Sequence, residues 1–247
     1  MREGIADSPR RWARVAGGLY LIVIVGGFFA VGFVPAAIVV AGDAAATARN
    51  IAGQELLYRL GLVAHIVILA CNIPLAAIFY DLFKVVNRKV ALFVAFFTLV
   101  GTAVEGAGLL TQFTPLILLD GGRSSSAFNA EQAQALAAMT LDLQAISFNI
   151  ALVFFGFYCL SIGYLVVRST FLPRVVGVLM AIGGLCYLTN SFASFLSPSF
   201  AARLFPYIQL PSGVAELSLT LSLLVIGVNV QRWKEQASAA GPSRLGV

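Results

Sequence analysis

The chain has 247 residues, of which 60% are hydrophobic and 11% charged, with a formal net charge of +5 and a mean hydropathy of +0.92. A soluble domain of this length carries roughly 25% charged residues, so the composition excludes one and points to an integral membrane protein. A nucleic-acid reading of the positive charge is also excluded, because the chain has no Gly-rich phosphate loop and no RNA-binding signature.

Crossing the hydrocarbon as helix takes about 20 mostly apolar residues, and six runs qualify: 15–36, 60–83, 90–118, 140–167, 174–196 and 208–230. The predicted fold is therefore an all-α bundle of six transmembrane helices over residues 12–232, flanked by cytoplasmic tails at 1–11 and 233–247.

The first run follows Arg10, Arg11 and Arg14 and is free of charge from Val15 to Gly42. That length is well beyond the roughly 7 to 15 apolar residues of a signal-peptide core, so it reads as an uncleaved helix. The next segment, GDAAATARNIAGQELLYRLG (42–61), places Asp43 to cap a short helix ahead of the second span. That span carries His65, Asn72 and Pro74, and the proline is expected to kink it. A short link, KVVNRK (84–89), leads to the third span, where Glu105 stands in LVGTAVEGAGLL (99–110).

The connection DGGRSSSAFNAEQ (120–132) reads as loop up to Asn129, where N-A-E-Q has the form of a capping box. A helix from there to Val167 measures about 57 Å at 1.5 Å per residue, so it must protrude, tilt or break. It carries Asp142 and Asn149, and after the link RSTFLPR (168–174) the last two spans carry Asn190 and Glu216. Three glycine pairs, Gly17 with Gly18, Gly26 with Gly27 and Gly183 with Gly184, permit close helix approach. Cys71, Cys159 and Cys186 lie inside spans without CxxC spacing and read as packing residues, not as a disulfide or metal framework.

With six spans and the N-terminus inside, twelve basic residues are cytoplasmic: Arg2, Arg10, Arg11, Arg14, Lys84, Arg88, Lys89, Arg168, Arg174, Arg232, Lys234 and Arg244. Four are outside: Arg49, Arg59, Arg123 and Arg203. The positive-inside rule then places both termini in the cytoplasm.

Depth can be counted at 1.5 Å per residue from the cytoplasmic basic residue that borders each helix. Glu105, Asn190 and Glu216 come out about 24 Å deep, and His65 and Asn149 about 28 Å. Five helices thus set a polar group in one layer, in the outer half of a hydrocarbon region about 30 Å thick. Asp142 lies higher and would form a rim. Small or polar residues share these faces at helical spacing: Gly108 and Gln112 with Glu105, Ser212 and Thr220 with Glu216, Gly183 and Tyr187 with Asn190, and Tyr58 and Gly61 with His65. The stripes read as walls of one outward-opening polar pocket.

A carboxylate near the centre of a membrane helix costs about 2.5 to 3.5 kcal/mol on insertion scales, so two glutamates in spans argue for a task. Such a group can donate a proton, relay one or bind a cation. His65 suits partnership with a glutamate but lacks a second nitrogen or sulfur ligand for a metal. The amides of Asn149 and Asn190 also suit hydrogen bonds between helices. The candidates for ligand binding or proton handling are Glu105, Glu216, His65, Asp142, Asn149 and Asn190, with no metal and no cofactor expected.

The stretches DLQAISFNIALVFFGFYCLSIGYLVVRS (142–169) and FLPRVVGVLMAIGGLCYLTNSF (171–192), with RVAGGLYLIVIVGG and GDAAATARNI nearer the N-terminus, resemble a bacterial membrane family known as domain of unknown function 4386. The resemblance runs from about residue 12 to 232. It implies a multi-pass helical bundle in the bacterial cytoplasmic (inner) membrane and names no activity. Where that family commonly has histidine this chain has Gln144 and Tyr158, and where aspartate is common it has Asn190.

Three classes of function fit these residues. The first is binding or transport of a small amphipathic or cationic molecule in the outer-half pocket, anchored by Glu105 and Glu216. The second is an intramembrane enzyme, an acid-base cyclase or isomerase acting on a lipophilic substrate, with Glu105 as acid and Glu216 or Asp142 as base. No HExxH, GxSxG or aspartate-rich motif specifies one. The third is a structural or accessory membrane protein whose polar layer specifies helix packing. The expected partners are the lipid bilayer and a small lipophilic or cationic ligand.

Overall fold

A computed structural model of the chain describes residues 8–119 and 128–240. Arg2, Arg123, Arg244 and the loop part of the 120–132 connection lie outside the described residues. Every regular element among the described residues is helical. Five helices are long and apolar enough to cross a membrane: Pro9–Ile38 (α1), Glu55–Leu119, Ala130–Arg168 (α5), Arg174–Leu196 (α6) and Tyr207–Ile226 (α8). In the most apolar stretch of each, at most 50% of the residues are buried, and large apolar side chains such as Phe28, Val63, Phe96, Ile150, Val178 and Val214 are exposed, as on lipid-facing helices.

The 65-residue element Glu55–Leu119 would be about 97 Å long if straight, some three times the hydrocarbon thickness. It is broken at Asn87, whose φ of −155° and ψ of 107° are extended. The result is two helices, 55–86 (α3) and 88–119 (α4). Asn87 makes the break locally stable because its Oδ1 accepts from the backbone N–H of Lys89 and Val90, at 3.1 and 3.2 Å, and so caps α4. Pro74 lies within helical dihedral angles, and the break comes thirteen residues later, at Asn87.

Both expected caps form. Asp43 accepts from Ala46 N–H at 2.8 Å and starts the short helix Ala44–Gly53 (α2). Asn129 and Gln132 exchange bonds of 2.8 and 3.1 Å to each other's backbone N–H, so α5 begins at Ala130 and runs 39 residues. In α1 a wide π turn, Phe28–Phe33, precedes Pro35, where the ring removes an N–H and crowds the carbonyl of Val31.

The last span ends at Ile226, not at residue 230. Gly227 has φ +71°, a conformation that other residues rarely adopt, and it stops the helix. The C-terminal segment beyond it is not a simple tail: Val230–Ala240 (α9) is a helix whose Trp233 is 5% exposed and donates its indole N–H to Leu82 O at 2.9 Å. A further short helix, Pro198–Leu204 (α7), lies between α6 and α8.

The chain forms two compact units. The first comprises residues 1–24, 71–102 and 151–247, and its core gathers Tyr20, Phe79, Phe83, Ile162, Met180 and Leu219. Glycines set its helix spacing. A Cβ on Gly163 of α5 would lie 2.7 Å from Gly177 O of α6, and one on Gly17 of α1 would lie 2.7 Å from Leu224 N of α8. Of the three pairs expected to allow close approach, Gly183 and Gly184 both meet neighbours, whereas Gly18 and Gly27 face open space. The second unit comprises residues 25–70 and 103–150, with a core of Val34, Ile38, Ile51, Tyr58, Leu62 and Leu109. Gly61 packs on Val34, and Gly108 packs on Ser147, whose hydroxyl donates to Val104 O at 3.0 Å.

Candidate functional site

Four of the six candidate residues, His65, Glu105, Asp142 and Asn149, belong to the second unit. Its central feature joins α3 to α4. His65 Nε2 and Glu105 Oε1 are 2.7 Å apart, with side chains 1% and 6% exposed. On the same helices a Cβ on Gly61 would lie 3.1 Å from Val34 and one on Gly106 3.4 Å from Leu69. His65 Nδ1 is buried and has no hydrogen-bond partner.

A cavity of about 220 Å³ lies within the same unit. Its wall is mostly aliphatic, including Val34, Ile38, Leu62 and Leu141, and its polar groups come from Tyr58, Gln112, Asp142 and Gln144. The Tyr58 hydroxyl donates to Gln112 O at 2.6 Å, which ties α3 to α4 at this level. Asp142 is exposed and supplies the carboxylate of the wall. Neither His65 nor Glu105 belongs to the lining. His65 follows the lining residues Gly61 and Leu62 by one helical turn, about 6 Å along the axis from Gly61, and Glu105 precedes Gln112 by two turns. Asn149 donates to Ala145 O of its own helix at 3.0 Å.

Glu216 and Asn190 belong to the first unit. Asn190 is 6% exposed, and its backbone carbonyl accepts from Ser194 at 2.8 Å. Glu216 is half-buried on α8, with the hydroxyls of Tyr187 and Tyr20 beside it. Tyr158 and Cys159 stand next to this group. Tyr20 and Tyr158, 3% and 4% exposed, flank the Phe79 ring at centroid distances of 6.1 and 6.4 Å, and neither hydroxyl has a hydrogen-bond partner of good geometry.

Sequence reasoning placed Tyr58 on the face of His65 and Gln112 on that of Glu105, and the cavity uses both. It missed Tyr20 as a companion of Glu216. Tyr20 carried no signal, because a tyrosine among apolar residues of a first span reads as an interfacial anchor or as core. Among the described residues, no group of three or more His, Cys, Asp or Glu side chains is placed to hold a metal ion.

The second unit therefore offers an apolar hollow with one carboxylate and, one turn further along α3, a sealed acid-base pair. Such a hollow accommodates an apolar body and attracts a positive end. No curated protein and no solved structure matches the chain. Residues 15–227 match the family described as Domain of unknown function (DUF4386), and the chain belongs to that family.

Proposed function

We propose that this chain is a six-span protein of the bacterial cytoplasmic membrane, with both termini cytoplasmic, that binds a small amphipathic molecule with a cationic end in the cavity of its second unit. The count of six is supported by the division at Asn87, which separates α3 from α4. The orientation rests on the twelve-to-four distribution of basic residues.

The observation that carries the binding reading is the cavity of about 220 Å³, aliphatic except for Tyr58, two glutamines and the Asp142 carboxylate. An apolar wall favours a hydrocarbon body, and a lone carboxylate favours a cation over an anion or a neutral sugar. Glu105 enters this reading as the partner of His65, not as the ligand's anchor. The enzyme alternative draws less support, because a catalytic acid has to touch the substrate and Glu105, unlike the candidate base Asp142, lies outside the lining.

The test is binding of hexyltrimethylammonium, which has a short apolar chain and a permanent charge, to the protein in lipid nanodiscs. Saturable one-to-one binding to the wild type that is lost in Asp142→Asn is the expected result. Partitioning identical to that of empty nanodiscs, or equal binding by Asp142→Asn, overturns the reading.

A further inference from the structure

The geometry points to a proton-exchange site at His65 and Glu105 whose proton is released when a cation occupies the neighbouring cavity. This rests on the proposed binding of a cation and adds a second charge to it.

Three protonation states are open to the pair at its 2.7 Å contact. An imidazolium facing a carboxylate has no net charge, and its Nδ1 carries a proton. A neutral imidazole accepting from a protonated Glu105 also has no net charge, and its proton again sits on Nδ1, because Nε2 is the acceptor. A neutral imidazole donating from Nε2 to the carboxylate has net charge −1 and a bare lone pair on Nδ1. The two uncharged states thus differ from the charged one by a single proton, and in both that proton rests on Nδ1.

Each side of this equilibrium carries a cost. Nδ1 is buried without a partner, so the protonated forms leave an N–H donor unsatisfied. The deprotonated form relieves that donor but leaves an uncompensated negative charge in an apolar setting, with side chains 1% and 6% exposed. The costs oppose each other, and an outside electrostatic influence adds to one side of the balance. A bound cation is such an influence. A unit charge in the neighbouring cavity favours the anionic state by a factor set by its distance and the local screening. By linkage, the proton weakens cation binding by the same factor. In the step itself the Nδ1–H bond breaks, its electron pair stays on nitrogen, and the proton passes to water.

The surrounding groups leave this role to the pair. In the second unit, residues 25–38 of α1 hold no titratable side chain, and 103–119 of α4 hold Glu105 alone. The segment 39–54 contributes Asp43 and Arg49, and α3 contributes Tyr58 besides a Glu55–Arg59 pair at 2.6 Å, which is exposed. From α5 come Glu131 and Asp142, of which Asp142 lines the cavity.

The test is calorimetric titration of nanodisc-embedded protein with hexyltrimethylammonium in two buffers of equal pH and different ionisation enthalpy, repeated between about pH 5 and 8. The probe cannot titrate, so a buffer-dependent heat reports protons leaving the protein. The expected result is a release of up to one proton per bound cation in the wild type that is absent in Glu105→Gln. Binding with heats independent of buffer at every pH overturns the coupling and leaves the binding reading intact. Release that persists in Glu105→Gln assigns the proton elsewhere and also overturns it. Absence of saturable binding removes the binding reading and this inference with it.

Discussion

His65 and Glu105, forty positions apart, meet at 2.7 Å across α3 and α4, and both side chains are sealed from outside. The break at Asn87 makes the meeting unavoidable in outline: it lies 22 residues after His65 and 18 before Glu105, so an antiparallel hairpin brings the two to similar heights. The polar layer counted from the sequence is here a direct contact.

Breaking the contact from one side should cost more than removing it altogether. Glu105→Ala leaves an imidazole with two unsatisfied nitrogens and is expected to lower stability by about 3 to 5 kcal/mol. The double variant His65→Phe with Glu105→Met replaces the pair by apolar groups of similar volume and should recover most of that loss. Thermal unfolding in nanodiscs gives the comparison. Additive losses in the double variant would mean that the two side chains act independently.

Helix spacing in the first unit predicts opposite outcomes for two glycines. Gly163→Ala puts a methyl 2.7 Å from Gly177 O and 2.9 Å from Ala181 N, and backbone atoms cannot swing aside. The helices must part, at about 1 to 3 kcal/mol. Gly18→Ala meets nothing within 4 Å and removes a flexible residue from a helix, so it should be neutral or stabilising by up to about 1 kcal/mol. Unfolding midpoints of the two variants should fall on opposite sides of the wild type, or Gly18→Ala should match it.

Much of this architecture was legible because it depends on local rules. Asp43 and Asn129 announced helix starts through chemistry that acts within three residues, and both caps form. The apolar runs announced the long helices, although their ends drifted wherever flanking turns stayed helical beyond the hydrocarbon length, as in α5. Contacts between distant residues were only partly legible. A stripe at helical spacing shows that Glu105 faces inward, not that His65 is its partner or that Asp142 stands on the cavity wall. The six candidates divide four to two between the units.

The C-terminal segment gives the sharpest contrast between a tail and a structural element. Its charged, weakly apolar sequence reads as a solvated end, yet Trp233 is 5% exposed and its N–H reaches Leu82 O at 2.9 Å. Trp233→Phe keeps most of the ring in place and removes the donor, so it should cost about 1 kcal/mol, rising toward 3 if the carbonyl is left without another partner. Trp233→Ala also empties the ring's site and should cost about 3 to 5 kcal/mol. Deleting residues 230–247 should destabilise at least as much as Trp233→Ala, because it removes the same ring together with the Gln236 contact to Thr170. A solvated tail would instead leave the unfolding midpoint unchanged in all three, so one thermal series separates the two descriptions, and the gap between the Phe and Ala variants divides hydrogen bonding from packing.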